Sequence, residues 1–252
     1  MPTALALSPH LDDAAFSCGG TLAMLAEAGW HVVMATPFTG SVPEPRGFAL
    51  ACQLDKGLPA EVDYMALRRE EDRAAAMALG ISEPRHLPFR EAPHRGYGSA
   101  PELFGPTRAD DGIVGTLAPA LRDLVAELRP DLLAAPQAIG GHVDHVQMVR
   151  ALDAIETGLP VLWWRDFPYT VRSADPKEPL RTRFADLTER EIRLTPEAEA
   201  RKEAACAAYA TQIGFQFGGR EGLSRRLAEE RGVERFRVSG ILPAGIPGAD
   251  GA

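Results

Sequence analysis

The 252-residue chain contains no asparagine. That excludes an N-glycosylation sequon and any catalytic triad that needs Asn. Its three cysteines, Cys18, Cys52 and Cys206, follow no framework spacing. They argue against a disulfide-stapled fold and read as free thiols in a reducing compartment. Positive charge is short: 27 Lys and Arg against 35 Asp and Glu leave a net charge of −8. A nucleic-acid binder would carry a basic stripe and a protein adhering to anionic lipid a basic patch, so neither partner is expected. Long hydrophobic runs are also missing. Residues 152–164 come nearest to the ~20 needed to cross a bilayer, and Asp153 and Glu156 interrupt them. The N-terminus enters an apolar run at once with no basic flank, so no signal peptide is expected and the expected location is the cytoplasm. Lysine is confined to Lys56, Lys177 and Lys202, which reads as genomic base composition and carries no functional message.

What is present is ordinary for a globular protein: 45% hydrophobic and 25% charged residues. Short apolar runs alternate with longer helical patterns over the first two-thirds of the chain. That alternation predicts a parallel sheet with helices on both faces. The expected strands are 3–7, 31–36, 85–89, 131–135 and 160–164; the expected helices are 13–28, 62–79, 113–128 and 145–157. In helix 62–79, Met65, Leu67, Ala74, Met77 and Ala78 are expected on the buried face, the charged run 68–73 on the solvent face, and Gly80 at the stop. Pro130 ends helix 113–128. Thr195-Pro196-Glu197 opens a further helix. Segments 37–61 and 90–112 are rich in Pro and Gly and read as long irregular loops at the carboxyl edge of the sheet, where open α/β sheets bind ligands. Beyond about 165, polar strands and helices are expected at the side of the core, with 243–252 as a loose tail.

Two polar clusters follow apolar runs. Ser8-Pro9-His10-Leu11-Asp12-Asp13 follows the first strand, and Gly140-Gly141-His142-Val143-Asp144-His145 follows the fourth. A catalytic zinc takes three protein ligands and leaves a position open, and His10, Asp13 and His145 would supply such a set. Asp12 is then placed to take a proton from water. His142 could face an oxyanion or protonate a leaving amine, and Asp144 would orient a histidine from behind. Alone, an Asp-Asp pair after a strand is more often a helix cap, and His-x-Asp-His more often a surface element. Their joint occurrence at two strand ends reverses that balance.

These motifs resemble those of the PIG-L/LmbE-like zinc deacetylases, which carry His-Pro-Asp-Asp-Glu after the first strand and His-Pro-Asp-His later. Here they stand as His10-Leu11-Asp12-Asp13-Ala14 and His142-Val143-Asp144-His145. The resemblance extends through Arg68-Arg69-Glu70-Glu71 to Leu79-Gly80, and through Lys202-Glu203-Ala204 to Tyr209-Ala210-Thr211-Gln212. It implies one Rossmann-like α/β domain over 1–252, with a mainly parallel sheet, helices on both faces and a C-terminal extension. It implies Zn²⁺ on His10, Asp13 and His145, Asp12 as general base, His142 at the oxyanion, and Arg68 and Glu91 on the sugar. The implied activity removes acetyl from an N-acetylglucosamine-type sugar, a small-molecule partner, and leaves a homo-oligomer open. An amidase acting on a thiol–sugar conjugate and a non-catalytic metal- and sugar-binding module are the alternatives. Leu11 and Val143 replace prolines and Ala14 replaces glutamate; none is an expected ligand.

Other residues are read more plainly. Trp163 to Tyr169 is either a wall of the sugar site, with Arg165 or Asp166 reaching hydroxyls, or an edge strand and turn. Cys18 reads as a small buried residue, with Gly19 and Gly20 allowing the first helix close to the sheet. His31 and His86 read as structural, and His94 lies in a loop near the site.

Overall fold

The sheet grows outward from its first strand. In the computed structural model, which describes residues 1–247, β1 (Thr3–Leu7) and β2 (His31–Thr36) pair in parallel, with Thr3 opposite His31. Between them runs α1 (Asp13–Glu27). Its first turn is closed by Ser8, whose Oγ accepts from Ala14 N at 2.9 Å, while Asp12 makes no cap bond. That leaves Asp12 free of helix duty.

After β2 come α2 (Gly47–Leu54) and α3 (Tyr64–Leu79), then β3 (Arg85–His86), α4 (Ala100–Leu103), α5 (Ile113–Leu128) and β4 (Leu132–Pro136). Next are α6 (Val143–Ile155), β5 (Val161–Trp164), α7 (Tyr169–Arg172) and α8 (Arg181–Phe184). The chain closes with β6 (Thr188–Arg193), α9 (Pro196–Ala208), α10 (Ala210–Phe217), α11 (Arg220–Glu229) and β7 (Val233–Ser239). The strand order is β3-β2-β1-β4-β5-β7-β6, parallel through β5 and antiparallel at β7 and β6. One face carries α1, α3 and α9, and the other α5 and α6. The mainly parallel α/β sheet covered on both faces is therefore as expected.

β1 pairs with β2 on one side and β4 on the other, so the order reverses between β1 and β4. That switch point opens a crevice outside the carboxyl ends of these two strands. Both polar clusters leave the sheet there.

Several expectations change. The strand expected at 85–89 shortens to Arg85–His86, because Pro88 has no N–H to continue the ladder and bridges Phe38 in the opposite sense. Segment 37–61 contains α2, and 90–112 contains a 3₁₀ turn at Ala92–Arg95 and α4. In α3 the buried face is Met65, Arg68, Asp72, Ala75, Ala76 and Leu79, whereas Met77 is 77% exposed and Leu67 40%. The helix turns in a face that includes charges because those charges have partners. Gly20 is needed against Leu194, whose Cδ1 would lie 2.3 Å from an added Cβ, so the close approach is to that residue rather than to the sheet. β5 lies inside the sheet, not at its edge. α9 joins the main helical layer against α1 and α3 instead of lying aside. Ile246, in the expected tail, is buried in the core; 248–252 lie outside the described residues.

Candidate metal centre

The β1–α1 turn and the start of α1 deliver His10, Asp12 and Asp13, and the β4–α6 turn and the first turn of α6 deliver His142, Asp144 and His145. His142 stands just ahead of α6, its Nδ1 accepting from Asp144 N at 3.2 Å. The loop before it bends at Gly140, with φ 93°, and an added Cβ there would lie 2.4 Å from the Tyr169 ring. Among the described residues, His10, His142 and His145 each offer a nitrogen, all within 4.8 Å of one another. Asp13 Oδ2 lies 3.2 Å from His10 Nδ1 and 3.2 Å from His145 Nε2. The expected ligands His10, Asp13 and His145 thus converge, and His142 joins them.

The two expected ligand histidines are braced from behind. His10 Nε2 is 3.0 Å from Asp144 Oδ2, and His145 Nδ1 is 2.7 Å from Asp166 Oδ1. Both contacts leave the other ring nitrogen turned to Asp13. His145 Nε2 is buried and has no hydrogen-bond partner. A buried, unsatisfied imidazole nitrogen beside a carboxylate and a second imidazole fits a divalent ion with nitrogen and oxygen ligands.

Asp144 is fully buried and saturated: it also accepts from Ala92 N at 3.0 Å and from Arg95 Nη2 at 2.7 Å. Arg95 is itself held by Asp111 at 3.0 Å. Asp144 therefore faces His10 and Arg95 and does not line the cavity. Asp166, expected either on sugar hydroxyls or in a turn, instead orients His145 and accepts from Ile139 N at 2.9 Å. Arg165 turns away and faces Glu178 at 3.9 Å. Arg95 and Asp111 carry no local sequence signal, and the aromatic stretch around Asp166 gives none for a contact with His145; only the fold brings them in.

Asp12 sits beside these residues with φ 154°, a strained setting for a non-glycine residue. Arg68 Nη2 is 3.5 Å from its carboxylate, and Gln216 Nε2 donates to it at 3.2 Å. Arg68 also donates to Glu91 Oε1 at 2.7 Å and to Leu11 O at 2.9 Å. The two expected sugar-binding residues therefore meet as an ion pair on the cavity wall.

Charge follows these contacts. Burial raises the Asp12 carboxyl to about 7, against the pull of Arg68. Burial would lower His10, but Asp13 and Asp144 outweigh it and raise the imidazole to about 9. Burial, with His10 adjacent, lowers His142 to about 3. His142 is thus neutral, and since its Nδ1 accepts a hydrogen bond, its proton is on Nε2. A neutral imidazole of this tautomer is a hydrogen-bond donor.

His10, Asp12, Asp13 and His142 open into a cavity of about 200 Å³, also walled by Arg68, Glu91, His94 and Tyr169. A larger cavity of about 590 Å³, near Arg165, Arg235 and Arg237, contains none of the clustered residues. Cys18 lies buried at a break in α1, with φ −139° and ψ 16°. His86 pairs with Asp72 at 2.8 Å. Among the described residues no helix is long and apolar enough to cross a membrane.

The model of the family "PIG-L: GlcNAc-PI de-N-acetylase" matches residues 5–156. A 2'-N-acetylparomamine deacetylase of Streptomyces fradiae is 36% identical over 167 residues, 66% of this chain and 57% of its own length. The chain thus spans little over half of that relative. A 1D-myo-inositol 2-acetamido-2-deoxy-alpha-D-glucopyranoside deacetylase of Rhodococcus erythropolis is 28% identical, covering 98% of this chain and 92% of its own. The zinc-inhibited form of a teicoplanin deacetylase superposes with a TM-score of 0.78 at 27% identity, over 94% of this chain and 98% of its own.

Proposed function

The chain belongs to the PIG-L family, and from that premise we propose that it is a metal-dependent hydrolase removing the N-acetyl group of an N-acetylglucosamine-type sugar or glycoside. The observation that carries this reading is the placement of Asp12 and His142 beside the set His10, Asp13 and His145, four of the five lining one cavity with His145 buried behind them. Pure metal or sugar binding would need neither Asp12 nor His142.

His10, Asp13 and His145 would hold the ion, which we propose is zinc. When bound, such an ion polarises the amide carbonyl and lowers the pKa of water from about 15.7 to about 7. Asp12 takes the proton of the attacking water. His142, with its proton on Nε2, donates to the developing oxyanion. The C–N bond then breaks, Asp12 returns its proton to the leaving amine, and acetate and the free amino sugar remain. Arg68 and Glu91 present a cation and a carboxylate to the sugar hydroxyls. Asp144 and Asp166 position the ligand histidines.

We take residues 1–252 as a single catalytic domain working on a small molecule in the cytoplasm, with neither nucleic acid nor membrane as partner.

The test is release of free amine from N-acetylglucosamine derivatives by protein loaded in turn with zinc, cobalt or iron. Asp12→Ala is expected to keep its metal and lose at least ~10²-fold in turnover. His145→Ala is expected to lose the metal by elemental analysis. A fully active Asp12→Ala, or unchanged metal content in His145→Ala, overturns the corresponding role.

A further inference from the structure

At the mouth of the same cavity stands a cation without a counter-ion. Lys56 lies just beyond α2, and its Nζ donates to Cys52 O at 2.8 Å. It sits 5.5 Å from the Tyr64 ring centroid and 5.0 Å from that of Phe215. Among the described residues no carboxylate lies within ion-pair distance of it. Arg172, on the same cavity, donates to Gln216 O and Oε1 and likewise meets no carboxylate.

The acids of the cavity are all engaged. Asp13 faces His10 and His145, Asp12 faces Arg68 and Gln216, and Glu91 is paired with Arg68. The uncompensated charge at the mouth is therefore positive, and a divalent ion would add to it. An ammonium offers three N–H donors, and Lys56 spends one on Cys52. Two rings hold it in place, which reduces the entropy lost when it binds. Burial, with Arg68 nearby, lowers its pKa, as for a cation short of solvent and of a partner. Beside it Phe215 is 60% exposed, a large aromatic face at the rim of a sugar cavity.

We propose that Lys56, framed by Tyr64 and Phe215, forms a subsite for an anionic group carried by the sugar or its aglycone, so that the enzyme prefers a negatively charged N-acetylated substrate. This rests on the deacetylase reading above. Lys56 makes a charge-assisted hydrogen bond to the anion, and Phe215 offers a ring against which the sugar or aglycone stacks.

The test compares N-acetylglucosamine with its 1-phosphate and its 6-phosphate on the metal-loaded enzyme. One phosphate ester is expected to exceed the parent sugar in kcat/KM by roughly ten- to a hundredfold, the gain appearing in KM. Lys56→Met is expected to bring that ratio close to one, and Lys56→Arg to preserve most of it. Equal kcat/KM for all three sugars, or a preference that survives Lys56→Met, overturns the subsite; the latter result points to stacking on Phe215 alone. Absence of amine release from every sugar overturns the deacetylase reading instead. Calorimetric binding of glucosamine 1-phosphate and 6-phosphate against glucosamine then reads the subsite on its own: a phosphate advantage lost in Lys56→Met sustains it, and no advantage sinks it.

Discussion

Asp166 holds His145 from behind at 2.7 Å, with both side chains buried. The aromatic stretch around Asp166 pointed to sugar hydroxyls, but nothing in it points to a histidine on another element, because Asp166 arrives from the end of β5, two strands from the first polar cluster. His10, Asp12 and Asp13, and His142, Asp144 and His145, were legible because each trio falls within four residues that follow an apolar strand. Of the residues behind them, Asp144 was expected to orient a histidine, but Asp166, Arg95 and Asp111 were not, since a bracing contact from a distant element has no spacing of its own. A carboxylate on a ligand imidazole fixes the tautomer and raises its basicity. Asp166→Asn keeps the shape but removes the charge, and is expected to weaken metal binding about 10–100-fold. Chelator competition measures this. Unchanged affinity would leave Asp166 with only its bond to Ile139 N.

At the scale of elements, α1 is broken at Cys18, and the N–H groups freed just beyond the break need acceptors. Glu234 of β7 supplies them, accepting from Gly20 N at 2.9 Å and Thr21 N at 2.7 Å. The same carboxylate pairs with buried Lys202 of α9 at 2.7 Å. One side chain thus ties α1, α9 and β7. Nearby, the C-terminal motif grips α3: Tyr209 donates to Asp72 at 2.6 Å and Thr211 Oγ1 to Glu71 at 2.7 Å. This grip explains why α3 buries Asp72, as Glu91 and Leu11 O explain the burial of Arg68, and why its hydrophobic pattern misread the inner face. Glu234→Ala would strand Lys202 without a partner and is expected to cost about 3–5 kcal/mol in denaturant unfolding. The double change Lys202→Met with Glu234→Leu should recover part of that loss, because no buried charge remains. Burial would lower the Lys202 pKa, but Glu234 outweighs it, and the net shift is upward. A raised lysine pKa stabilises the fold fully below its unfolded value of about 10.4 and less as pH climbs through the folded value. The gap between wild type and Glu234→Ala should therefore narrow as pH climbs into alkali and Lys202 loses its proton. A gap that stays undiminished in strong alkali would contradict this account of the pair.

Over the whole molecule, the central parallel strands β1, β2, β4 and β5 were legible because they are mostly apolar runs covered on both faces. β6, Thr-Glu-Arg-Glu-Ile-Arg, was not. Its register opposite β7 sets Glu189 against Arg237 and Glu191 against Arg235, an edge made of charge pairs rather than of apolar alternation. The site depends on the legible strands. His10 and Asp13 leave β1, His142 and His145 leave β4, and Asp166 follows β5, so one ion would join three consecutive strands of the sheet. Such a ligand binds the folded chain and has no comparable site in the unfolded one, which makes binding a stabilising term. At a free metal concentration of 100 times Kd the gain is about 2.7 kcal/mol. For a chain of this length that corresponds to a rise in Tm of about 5–10 °C. Thermal unfolding of chelator-treated protein, with and without added zinc, measures it. Asp13→Ala, which removes the carboxylate shared by His10 and His145, should abolish most of the zinc-dependent rise. A rise of equal size in that variant would place the stabilising ion somewhere other than at these three strand ends.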